Sequence, residues 1–172
     1  MKYCYTDYVF TILDYFSIIN KKEFIFEWIV PLTFGIASYF LVQDHMIGSS
    51  DNMFINNFLT ILTNLFAILV GFTIATVAIF TTTDAKKIDV LNKVSDRELR
   101  GYKIPWFRFV YVNLIYSAVA GIVMLILTLL SQMLSLVVKD EVIVCVLVAG
   151  ALHSLLLSLR NTTNLYFIYY NH

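Results

Sequence analysis

Four long stretches of this chain carry no Asp, Glu, Lys or Arg: Trp28 to Gln43, Asn52 to Thr83, Phe109 to Val138 and Val142 to Leu159. A helix rises about 1.5 Å per residue, so crossing roughly 30 Å of hydrocarbon takes about 20 predominantly apolar residues. The second and third stretches exceed that length. The first reaches it by taking in Phe24, Ile25 and Phe26 and tolerating Glu27 at the rim. The fourth reaches it by running past Arg160, whose long side chain can snorkel to the headgroups. The pattern predicts an all-α membrane protein with four transmembrane helices, at 24–42, 53–81, 106–132 and 142–166.

Residues 3–20 show a different periodicity. Asp7, Thr11, Asp14 and Ser17 recur at helical spacing, while Phe10, Ile12, Leu13, Phe16 and Ile19 fill most of the other positions. This predicts an N-terminal amphipathic helix at the membrane interface. Its polar face lacks the Lys/Arg row of a lipid-seeking helix, so contact with protein is expected. The connections at 44–51 and 133–141 are too short for a folded ectodomain. The link at 84–105 holds most of the charge. Within it, Ser95-Asp96-Arg97-Glu98 has the spacing of a capping box, which predicts a helical break and restart near residue 95.

Charge adds orientation. Lys2, Lys21, Lys22, Lys86, Lys87, Lys93, Arg97, Arg100, Lys103, Arg108 and Arg160 fall on one side of the predicted bundle, and Lys139 alone falls on the other. The positive-inside rule puts both termini and the 84–105 link in the cytoplasm, with Trp28, Trp106, Tyr102 and Tyr166 as an inner aromatic belt. The first span is expected to be retained rather than cleaved. A signal peptide does not have so long and aromatic a segment before its apolar stretch, nor Glu27 and Pro31 within it. Cys4 and Cys145 are then expected at opposite ends, too far apart to pair.

Composition narrows the class. Of 172 residues, 59% are hydrophobic and 14% charged, against about 25% charged in a soluble domain. That excludes a soluble globule, a disordered tail and a disulfide-stapled module. Twelve basic and twelve acidic residues leave no net charge, so direct nucleic-acid binding is not expected. Neither a metalloprotease helix motif, a nucleophile elbow nor a phosphate loop occurs, and His45, His153 and His172 are scattered. No catalysis, metal or cofactor is expected.

Inside a bilayer, small and polar residues mark helix contacts. The second span has Thr60, Asn64, Ala67, Gly71, Ala75, Ala78 and Thr82 on one side, with Gly71 and Ala75 as a small pair. The third has Asn113, Ser117, Ala120, Met124, Thr128 and Ser131, with Ser117 and Gly121 paired. The fourth has Gly150, His153, Ser154, Ser158, Asn161 and Asn164. Packing within one subunit, a subunit interface and a polar pore are the alternatives. His153 falls near the midplane, where it could gate, relay protons, pair with Asn64 or simply be hydrogen-bonded and neutral. Glu27, one turn past Lys22 and Glu23, reads as a salt bridge or a snorkelling side chain rather than a substrate site. Three such stripes predict a homo-oligomer, with a tetramer favoured and Gly71 or Gly121 at a close helix contact.

The segment from Ile68 to Thr82 that runs into Asp84-Ala85-Lys86-Lys87, and the stretch from Ala151 through His153 to Tyr166, resemble small bacterial four-span proteins of phage-defence loci. They are similar to the membrane protein of the Rex exclusion system and to the membrane subunit of the Kiwa system, which partners a soluble DNA-binding subunit. The resemblance covers the second to fourth spans and leaves residues 1–50 unmatched. It implies an oligomer in the bacterial inner membrane that senses or answers infection. Two functions follow as expectations. One is a sensor or scaffold that recruits a cytosolic effector through Lys86, Lys87, Lys93, Arg97, Arg100 and Lys103, on an inner platform of N-terminal helix, basic link and C-terminal end where Tyr166, Phe167 and Tyr169 pack. The other is an ion-conducting pore lined by the Asn64 and Gly71 face or by His153.

Overall fold

Apolar length lays out the architecture. Lys21–Gln43, Ile55–Thr82, Trp106–Met133 and Asp140–Ile168 are helical, and each is long and apolar enough to cross a membrane. They fit a multi-pass membrane protein, within a residue or a few of the spans expected from the sequence. The computed structural model describes residues 6–46, 52–82, 89–99, 101–134 and 139–170. Cys4, Lys86, Lys87 and Arg100 lie outside them, as does the side chain of Tyr169.

In chain order, α1 is Thr6–Ile18, and the first span is one rod in three pieces: α2 Lys21–Phe24, a π-helical turn Ile25–Ile29, and α3 Val30–Met46. Then come α4 Asn52–Thr82, the single turn α5 Asp89–Asn92, strands β1 Val94–Leu99 and β2 Tyr102–Pro105, α6 Trp106–Leu134 and α7 Asp140–Tyr170. The long helices pack mainly in the order α3, α7, α6, α4. Small residues permit the tightest crossings. A Cβ on Gly35 would meet the Cys145 carbonyl of α7 at 2.7 Å, and one on Gly121 would meet Val70 of α4 at 2.9 Å. The close contact expected at Gly121 is present. Gly71 has nothing within 4 Å of where its Cβ would be.

The segment expected to restart a helix at residue 95 is instead an antiparallel hairpin, with Glu98 opposite Lys103 and Leu99 opposite Tyr102. The Ser95 hydroxyl is buried and donates across the hairpin to the Ile104 carbonyl at 2.7 Å. The same oxygen accepts from the Arg97 N–H at 3.3 Å, so Ser95 ties the two strands together and caps no helix. Gly101, at φ 82°, supplies the left-handed residue that a tight hairpin turn requires.

Separate pieces of chain share one core at this end of the bundle. Tyr15 and Ile18 of α1, Leu91 of α5, Leu99 and Ile104 of the hairpin, Phe109 of α6 and Ile168 of α7 are all buried together. We call this the platform end. Tyr166 and Phe167, expected to pack here, are both 54% exposed, because the turn of α7 that meets the platform presents Ile168 instead. α1 lies on α6, yet leaves Phe10 and Leu13 about half exposed on its other side. A second core, of Ile55, Leu59, Leu62 and Phe66 with Ile143, Val144 and Leu147, fills the opposite end.

Candidate functional site

The site begins with a missing proton. Pro31 lies inside the first span, and a proline there has no N–H to offer the carbonyl four residues back and presses its ring against it. That carbonyl belongs to Glu27. The chain yields by widening into the π turn at Ile25–Ile29, in which the Val30 N–H bonds to the Ile25 carbonyl. The stranded Glu27 carbonyl accepts from another helix: His153 Nδ1 of α7 donates to it at 2.6 Å. The other ring nitrogen, Nε2, lies 3.2 Å from the Tyr116 hydroxyl, and the ring rests against Trp28 with centroids 4.6 Å apart. A carbonyl can only accept, so Nδ1 carries a proton, and His153 is hydrogen-bonded through both ring nitrogens. Asn64 faces away from it on the exposed side of α4, so no pair between them forms.

The Glu27 side chain is also buried, at 3% exposure. One carboxylate oxygen accepts from Arg160 at 2.6 Å, the other from the Tyr15 hydroxyl at 2.5 Å. Arg160 does not snorkel. Its guanidinium turns inward, bonds Asn113 of α6 as well, reaches within 3.9 Å of Glu23 and lies over the Tyr15 ring at 5.5 Å. The planar fork of arginine suits a buried site with two acceptors. Tyr15 in turn stacks on Tyr116, with centroids 3.6 Å apart and planes within 6°. Burial first, then the hydrogen bond to the Glu27 carboxylate and its charge, hold the Tyr15 phenol well above its ordinary value, with Arg160 opposing. Five elements thus meet at one ion pair: α1, α2, the π turn, α6 and α7.

A second clamp joins the hairpin to the same rod. Arg97 donates to Glu23 and to the Ile18 carbonyl, and its guanidinium lies 5.2 Å from the Phe109 ring centroid. Arg97 therefore faces into the platform, not out toward a partner. Lys93 and Lys103 are exposed, and Arg108 lies 3.7 Å from Asp14 of α1.

The polar stripes part company. Asn113, Ser117 and Thr128 of α6, and Ser154 and Asn161 of α7, are buried between helices. On α4, Thr60, Asn64, Ala67, Gly71, Ala75, Ala78 and Thr82 are all exposed. The buried face of α4 is its opposite one, where Ile55, Leu59, Leu62, Phe66 and Phe80 offer more apolar area. Packing within one subunit is thus not what the α4 stripe does.

Sequence reasoning took Glu27 and Arg160 one at a time and gave Tyr15, Tyr116 and Trp28 no place in a site. The signal was present as a carboxylate in the first span, an arginine in the last and a proline one turn beyond the carboxylate. Chemically, the cluster binds segments together. Glu27 spends one oxygen on Arg160 and the other on Tyr15. Among the described residues, no group of three His, Cys, Asp or Glu could hold a metal ion. No family model, no curated protein and no solved structure matches the chain.

Proposed function

We propose that this chain is the protomer of an oligomeric membrane scaffold or sensor whose platform end lies in the cytoplasm and docks a soluble effector. The platform itself carries the reading. α1, the hairpin and the end of α7 share a core, and Glu27–Arg160 and Arg97–Glu23 clamp it to the spans. Such a surface is tied to the spans by charge. Lys93, Lys103, Asp96, Glu98 and Tyr102 are exposed on it. The one-sided distribution of Lys and Arg supports the cytoplasmic assignment of both termini.

The outward stripe of α4 supports assembly through this helix. Small residues let backbones approach, and here they are exposed among the described residues. The resemblance of residues 68–87 and 151–166 to membrane proteins of phage-defence loci supports a bacterial inner-membrane setting and a response to infection.

Reversing Lys93 and Lys103 to Glu tests the docking surface, because neither is part of a clamp. Co-purification of a soluble protein and protection against phage should both be lost, with oligomer size kept. A second reading rests on Asn64 and Thr60, which are polar and exposed on the α4 stripe and could line a pore between copies. If the charge-reversed protein stays fully active and its expression drives potassium or dye flux, the pore replaces the scaffold.

A further inference from the structure

Between α3 and α6 lies a crevice of about 300 Å³, floored by α7. Pro31 and Leu32 form one wall, Ala120 and Val123 the other, Ala149 lies on the floor, and Ile12 of α1 closes the platform end. Leu32 and Val123 stand at its mouth and are each about half exposed. Two of the polar side chains that reach it are already engaged: Glu27 by Arg160 and Tyr15, and His153 by Tyr116 and the Glu27 carbonyl. The buried Trp28 Nε1–H has no partner, and the rest of the lining is overwhelmingly apolar.

The volume is twice that of an apolar cavity of about 150 Å³ that stays free of water yet takes up benzene. An empty crevice of this size would forfeit the dispersion contacts of its whole lining. It lies within the spanning segments and opens sideways, so hydrocarbon is what meets its mouth.

We propose that this crevice binds a single hydrocarbon chain of a membrane lipid, with Ile12 as the end wall. This rests on the reading that the four helices cross a membrane, and not on any effector. The chain belongs to a phospholipid or to a free fatty acid, and packs beside the Trp28 indole. Because Ile12 is part of α1, the bound chain also supports α1 in the position from which Tyr15 reaches Glu27.

The test uses Trp28 as the reporter. The protein has two tryptophans, so Trp106→Phe leaves Trp28 alone. The full-length variant is placed in phosphatidylcholine vesicles and titrated with a brominated fatty acid or, separately, with brominated phosphatidylcholine, since bromine quenches indole on contact. One of the two probes should remove most Trp28 emission in a saturable phase at one-to-one stoichiometry, and the probe that does so names the source. Ala120→Phe, which fills the crevice, should abolish that phase. Val123→Phe, at the exposed mouth, should do the same with less demand on folding, and circular dichroism checks that both remain helical. Quenching that rises linearly with both probes would overturn the proposal, as would a saturable phase that persists in a folded Val123→Phe protein. Disulfide-linked dimers of Val123→Cys without saturable quenching would give the face to a second copy and likewise overturn it.

Discussion

Replacing Pro31 by Ala should make His153 dispensable to the fold. In the native chain the Glu27 carbonyl has no donor four residues on, and His153 Nδ1 fills that role at 2.6 Å. Removing the imidazole leaves a buried carbonyl unpaired, which costs about 1–3 kcal/mol. Pro31→Ala restores the N–H, the helix closes its own bond, and the imidazole becomes one interhelical contact among others, worth about 0.6 kcal/mol. The comparison is clean in a Tyr116→Phe background, because the Tyr116 hydroxyl would otherwise lose its partner on Nε2 at the same time. His153→Phe keeps a ring beside Trp28, whose centroid is 4.6 Å away. Unfolding of the four proteins in mixed micelles, titrated with dodecyl sulfate and followed by helical circular dichroism, gives the cycle. His153→Phe should cost about 1–2 kcal/mol more when Pro31 is present than when Pro31→Ala has been made. Equal costs, within the roughly 0.5 kcal/mol expected of independent sites, would refute the account of the stranded carbonyl.

Arg160→Met should destabilise by about 3–5 kcal/mol, because it leaves the Glu27 carboxylate buried beside little but the Tyr15 hydroxyl. Adding Glu27→Gln should recover most of that loss, and a double mutant as unstable as the single would show that the clamp does not hold the bundle. Gly35→Val should cost about 1–3 kcal/mol through collision with the Cys145 carbonyl. Gly71→Leu should leave protomer stability unchanged while lowering oligomer mass by light scattering, and unfolding of the Gly71 variant would show that α4 faces something other than a second copy. Because burial and Glu27 keep Tyr15 protonated in the fold, the unfolded state loses its proton first, and stability should fall as pH rises above about 10. In unfolding titrations Tyr15→Phe should flatten that alkaline slope, and an unchanged slope would count against a buried phenol. Cysteines at positions 48 and 93 should label from opposite faces of the membrane, the latter from the cytoplasm only, and labelling of both from one face would defeat the four-span topology.

The spans were legible because length and apolarity are local properties, and nothing elsewhere in the chain can change them. Gly121 was legible for a similar reason: a small residue among large ones on a helix face marks a close approach. The site was not. Glu27 and Arg160 each satisfy the rule for a rim residue, and only the π turn places both indoors on one another. Pro31 announces a broken helix but not where the replacement donor comes from, since His153 is over a hundred residues away. The hairpin was missed because Ser-x-x-Glu fits a helix start while the cross-strand partner, Ile104, lies beyond the window of any local motif. The α4 stripe was read correctly as a stripe. Its direction depended on which face of α4 carries more apolar area toward α6, and that is a property of two helices.

The pairing of Glu27 with Arg160 also sets an order on synthesis. The two residues are 133 positions apart, so a ribosome working at about 5–20 residues per second exposes the carboxylate roughly 7–27 s before its arginine exists. Through that interval the first span carries an acid without its arginine, at a penalty that stays below the roughly 2.5–3.5 kcal/mol of a charge at mid-bilayer because Glu27 lies toward one end of the span. A nascent chain cut short before α7 never loses that penalty. The last helix is therefore what lets the first one stay, and truncated products should be the ones that membrane quality control removes.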